Sequence, residues 1–183
     1  MLNQIAAIHG TGVAASTNNY ESIATVTVGA GGSSSISFSS IPGTFKHLQI
    51  RQFNLNSAAN QTIFIRFNSD TGSNYARHQV GGTGAATYAS GESSQTAGFI
   101  GFGAGSTSSG YGAATITDIL DYTNTNKYTT VRAISGNDYN GAGQIVLRSS
   151  LWMNTAAVTG ITIYPDTGNF TQYSQFALYG IKG

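Results

Sequence analysis

Two copies of Asp-Thr-Gly, at 70–72 and 166–168, are the residues of this chain whose type and repetition come nearest to a catalytic pattern. An acid protease holds two such carboxylates about 3 Å apart, sharing one proton, on loops pinned by buried apolar flanks. The flanks here differ. Asn68 and Ser69 precede the first Asp, Pro165 precedes the second, and Asn169 follows the second Gly. These are turn formers, so both words read as β-turns in which Asp folds back onto the backbone and Gly takes the left-handed position. Asp70 is expected before a sharp turn ahead of Tyr75. Asp166 is expected in the connection to the last strand, with no meeting of the two carboxylates.

No other constellation points to catalysis. His9, His47 and His78 are far apart and form no His-x-x-x-His pair. Asp118, Asp121 and Asp138 lack the regular alternate spacing of a calcium loop. There is no Gly-x-Ser-x-Gly elbow, and GFGAGS at 101–106 is followed by no Lys, so it is not a phosphate loop. Cys is absent, which removes thiolate metal sites and disulfides. The residues therefore assign no catalytic group, no metal and no cofactor, and a non-enzymatic role is expected. Aromatic chemistry remains. Tyr75, Tyr88, Tyr111 and Tyr139 fall in or beside expected loops, with Asn74, Asn137, Asp138 and Asn140 nearby. Such rings stack on sugars beside amide and carboxylate partners, and they equally suit sandwich edges and subunit contacts.

The elements that would position these groups are strands. IATVTV (23–28) puts Ala24, Val26 and Val28 on one face, and SSISFSSI (34–41) aims Ile36 and Phe38 inward. HLQIRQFNL (47–55) starts with Leu48 and Ile50 and then shifts phase to Phe53 and Leu55, which suggests a bulge. QTIFIRF (61–67) is apolar on both faces, as a central strand is, and further runs begin near residues 96, 113, 128, 144, 158 and 174. Clusters of Gly, Asn, Asp and Ser separate them. No ten-residue segment has clean helical periodicity, although short helical turns in 68–95 or 121–127 stay open. Residues 81–95 read as an exposed loop or weak strand. The class expected is all-β: an antiparallel β-sandwich or jelly roll of about ten strands.

Composition bounds the partners. The 183 residues suggest one domain, and only 8% are charged against a globular norm of roughly 25%. Eight basic and seven acidic residues are scattered singly, so no stripe exists to neutralise a run of phosphates. No apolar stretch approaches the length of a membrane span. The N-terminus lacks a basic region and its apolar run stops at His9, so no signal peptide is expected. Residues 1–20 read as an extended arm, and 21–183 as the sandwich. The arm carries Leu2, Ile5 and Ile8, which suits either a frayed terminus or a segment docked on a partner.

Five stretches together carry a resemblance: YESIATVTVG (20–29), SISFSSIPGTFKHLQIR (35–51), RFNSDTGSNYARH (66–78), ITDILDYTNTNKYTTVRAISG (116–136) and the closing 149–183 with GNF and FALYGIK. From Tyr20 onward the chain resembles small β-rich virion structural proteins of tailed bacteriophages, including those of cyanobacteria and marine bacteria. That resemblance implies a jelly-roll-like module on the particle surface, made in the host cytoplasm and often oligomeric. It brings no catalytic residues. The first placement it implies is a capsid decoration or cement protein on the major capsid protein, with a homotrimer natural at threefold sites. The alternative is a tail fibre, spike or adhesion subunit that binds host-surface glycans.

Overall fold

A computed structural model describes residues 19–104, 108 and 110–183. Twelve strands are formed: β1 Tyr20–Thr27, β2 Ile36–Phe38, β3 His47–Asn54, β4 Thr62–Phe67, β5 Tyr75–Gly82, β6 Thr87–Gln95, β7 Gly98–Phe102, β8 Ala113–Leu120, β9 Thr129–Asp138, β10 Gly143–Trp152, β11 Ile161–Pro165 and β12 Gln175–Ile181. No described residue is helical. All pairings are antiparallel, in an eight-stranded sheet ordered β1-β12-β3-β8-β9-β10-β5-β6 and a four-stranded sheet ordered β2-β11-β4-β7. The expected antiparallel β-sandwich is the architecture found. It has two strands more than expected, and 81–95 is mostly the outer strand of the β5–β6 hairpin.

Period-two alternation places the core between the sheets. The small sheet contributes Ile36, Phe38, Ile63, Ile65, Phe67, Ile161 and Ile163, and the large one answers with Leu48, Ile50, Ile119, Val131, Trp152, Phe176 and Leu178. Each is 5% exposed or less. Burying such side chains stabilises by about 1.5–3 kcal/mol apiece.

The inward face of the large sheet is not apolar throughout, and β7 is the reason. This strand ends the small sheet, so one side of its backbone has no strand partner. Side chains of the large sheet take that place. Ser150 Oγ accepts from the Phe99 amide at 3.0 Å and donates to the Phe99 carbonyl at 3.1 Å. Ser135 Oγ accepts from the Phe102 amide at 3.2 Å, Arg148 Nη1 donates to the Gly101 carbonyl at 2.7 Å, and Asn137 Nδ2 donates to the Gly103 carbonyl at 3.0 Å. Left unpaired and buried, each backbone group would cost about 1–3 kcal/mol. Polar residues at core positions thus close a buried sheet edge. Arg148 also stacks its guanidinium over Phe99 and Phe102, at 4.4 and 4.0 Å from the ring centroids. Its burial holds its pKa down, to about 10.

One expectation is corrected here. The bulge expected in 47–55 is absent, because β3 pairs without interruption with both β12 and β8. Leu48, Ile50, Gln52 and Asn54 all point inward and are buried. Phe53 stays on the outer face, 44% exposed. What looked like a change of phase is an apolar residue facing solvent.

Candidate interface on the large sheet

Phe53 belongs to a band. The cross-strand register lines up Ile116, Ile134, Leu147, Val80 and Ala89 on β8, β9, β10, β5 and β6, all on the face turned away from the small sheet. The next row on that face is Phe53, Ala114, Gly136, Ile145, Gly82 and Thr87. Phe53, Ile116, Ile134, Ile145, Leu147 and Val80 are each between 42% and 60% exposed. Together they leave on the order of 600 Å² of apolar surface, the top of the range for the largest patch on a monomer.

The two rows differ in height. The first is a ridge of branched side chains. In the second, Ala114 and Gly136 lie low between Phe53 and Ile145, and they floor a groove of about 530 Å³ that also includes Ile116, Ile134 and Ala177. A Cβ built on Gly136 would meet only the Gln144 carbonyl oxygen at 3.5 Å, and one on Gly82 would come no nearer than 3.6 Å to anything. Neither glycine has a positive φ, so neither backbone nor packing within the chain requires it. Glycine inside a strand weakens it and often marks close approach by a ligand or another backbone.

Polar groups frame the band. Along one border Gln49 donates to Asp118 at 2.7 Å, and Asp118 sits opposite Arg132 in register. Toward β12, Arg51 lies over the Tyr20 and Tyr179 rings, 5.4 and 5.7 Å from their centroids. Beyond the groove, Asp138 lies on the same face of β9. Arg51, Arg132, Asp118 and Asp138 balance in charge. Among the described residues no ion pair engages Arg132, Asp118 or Asp138.

Apart from Asp118 and Asp138 on its border, the residues singled out from sequence fall elsewhere. Asp70 and Asp166 do not form a dyad. The Asp70 carboxylate accepts from Gly72 N at 2.8 Å, Asn74 Nδ2 at 2.9 Å and Trp152 Nε1 at 2.8 Å, while the Asp166 amide donates to the Thr62 carbonyl. Burial pushes the Asp70 carboxyl up, but the hydrogen bonds from Trp152, Asn74 and Gly72 outweigh it and leave it below the ordinary value. Asn68 and Ser69 take the positive φ values of the first turn, at 50° and 59°, rather than Gly72; in the second, Gly168 does so at 72°. Tyr75 is corrected: it is not a loop ring open to sugar but fully buried, because its hydroxyl accepts from the Phe67 amide at 3.0 Å and its ring packs by Trp152. Burial pushes its phenol to about 12. Tyr88 lies within β6 and donates to Gln144 Oε1 at 3.2 Å. Tyr111 and Tyr139 do meet, edge to face, with centroids 6.3 Å apart. Leu2, Ile5 and Ile8 lie outside the described residues. The described residues contain no group of three or more His, Asp or Glu that could hold a metal ion, and no helix long and apolar enough to cross a membrane.

The strongest charge cluster surrounds Asp121, whose φ is 49°. Lys127 hydrogen-bonds its carboxylate and Lys46 forms an ion pair with it at 2.8 Å, and together they hold its pKa down to about 2; the Asp121 amide donates to His47 Nδ1. A carboxyl with a depressed folded pKa adds stability that is complete above its unfolded pKa and is lost as pH falls through the folded one. The melting temperature is therefore expected to fall between about pH 4 and pH 2, with a shallower fall in Asp121→Asn, measured by thermal unfolding across that range.

Comparison with protein-family models, with curated proteins and with solved structures finds no match to this chain. The geometry of the site is therefore the ground for a functional reading.

Proposed function

We propose that this chain is a structural, non-enzymatic subunit of a bacteriophage virion, a capsid decoration protein that binds and stabilises the head shell. The observation that carries the reading is the outward apolar band on the large sheet of a chain in which only 8% of residues are charged. The largest exposed apolar patch on a monomer is often functional, and contacts made by apolar burial are weakly affected by salt compared with exposed ion pairs. The resemblance in sequence to phage virion proteins supports the same role. In this reading the arm residues Leu2, Ile5 and Ile8 make the attachment to the major capsid protein, and the band makes contacts between subunits.

Adding purified protein to undecorated heads of the encoding phage tests this. Pelleting with the heads is expected for the native chain and lost in Ile5→Asp/Ile8→Asp, whose unfolding curve stays unchanged. Equal pelleting of both would remove the arm from the account. A second reading, a tail or adhesion subunit binding host glycans, is favoured by the Tyr111–Tyr139 pair. It would gain if gold label on the particle marked the tail and Tyr139→Ala abolished binding to host cells.

A further inference from the structure

We propose that the band is a homotypic interface: two copies pack the outer faces of their large sheets together about a twofold axis. The axis lies parallel to the sheets, runs across the strands and passes between the ridge row and the groove row. This contact goes beyond the virion role and does not depend on where in a particle the subunit sits.

The register carries the argument. A twofold placed there lays β9 antiparallel on the partner's β9 and exchanges the two rows. Ile134 then lies over a second Gly136, Ile116 over Ala114 and Val80 over Gly82, so on β9, β8 and β5 bulky residues of one copy meet low positions of the other, and on β10 Leu147 meets Ile145 in direct apolar contact. At the same step Arg132, two residues before the ridge, comes over Asp138, two residues beyond the groove. The two unpaired charges of β9 are thus matched twice, once on each side of the axis. A single face that supplies both ridge and trough, and both signs of charge at matching offsets, is self-complementary in the sense an isologous contact demands.

Size and charge agree with this. The apolar area, with its polar border rows, approaches the roughly 800 Å² per partner of a stable interface. The balance of two arginines with two aspartates means that two copies meet without net repulsion. The open glycines find a reason too, since partner side chains fill the space that nothing in their own chain enters. The geometry is a pairwise contact, distinct from the threefold closure that a shell site alone suggests.

Sedimentation velocity of the full chain over a concentration series tests it. A monomer–dimer equilibrium is expected, and Leu147→Glu should leave only monomer. Gly136→Val should weaken association by about tenfold or more without lowering the monomer's melting temperature, because a branched residue suits a strand better than glycine. Arg132→Glu should weaken the dimer, and adding Asp138→Arg in the same chain should restore it. A trimer, or association indifferent to Leu147→Glu, would overturn the proposal, as would failure of the charge reversal to rescue. A chain that stays monomeric would also overturn it. If Ile5→Asp/Ile8→Asp then speeds hydrogen exchange across the band, the occupant is the chain's own N-terminal segment.

Discussion

Replacing Trp152 by Ala is expected to destabilise the sandwich by about 3–5 kcal/mol, the cost of emptying a large buried aromatic site. The indole is 1% exposed and lies between Phe67, at 5.5 Å between ring centroids, and Tyr75, at 6.5 Å. Its Nε1 also donates to Asp70, so the substitution opens a cavity and removes one of the donors that keep that carboxylate ionised. In a domain of this size each kcal/mol moves the melting temperature by about 2–4 °C, so a fall of roughly 10 °C is expected. Urea unfolding followed by circular dichroism measures it. Trp152→Phe should keep part of the ring packing, lose the hydrogen bond and leave a smaller cavity, with a cost below that of Ala, about 1–3 kcal/mol. If both variants unfold with the native chain, the Trp152–Asp70 contact does not anchor the end of β10.

The second large effect is expected at Gly101, where β7 lies against the large sheet. A Cβ there would stand 2.6 Å from Thr115 Oγ1 and 2.9 Å from Ser135 Oγ. Those hydroxyls are bonded to each other at 2.8 Å, and Ser135 also holds the Phe102 amide. Neither can retreat without breaking a buried hydrogen bond. Gly101→Val should therefore combine overpacking with an unsatisfied amide and cost about 3 kcal/mol or more. Gly136→Val is the control, since it adds the same side chain on the open face. A Gly101→Val chain as stable as the native one would mean that the closed edge of β7 has room for a side chain and does not require Gly101.

These two sites show what was legible in the sequence and what was not. Strands were legible because Ile36 and Phe38 alternate with serines and because 61–67 is apolar on both faces, as a central strand is, and turns because Asn, Asp and Gly cluster between them. Short side chains hid β6: TYASGESSQ has little apolar alternation, and it forms a strand because β5 pairs with it. Tyr75 was misplaced because its flanks are those of a turn, while its burial depends on Trp152, nearly eighty residues away. Most informative is β3. Its outward Phe53 and inward Gln52 and Asn54 reverse the usual alternation, and single-strand periodicity reads that reversal as a bulge. Only the register across β8, β9, β10 and β5 shows that Ile116, Ile134, Leu147 and Val80 extend the same outward band, while Ser135, Arg148 and Ser150 turn inward to close β7. Polar inside and apolar outside are two sides of one arrangement.

The proposed virion role is tested most directly by locating this chain in a particle reconstruction from the phage that the proposal takes to encode it. The account predicts density on the head shell with Ile134, Leu147 and Val80 buried against another subunit. Density in which that face stands open to solvent, or a particle that lacks the chain altogether, would contradict it.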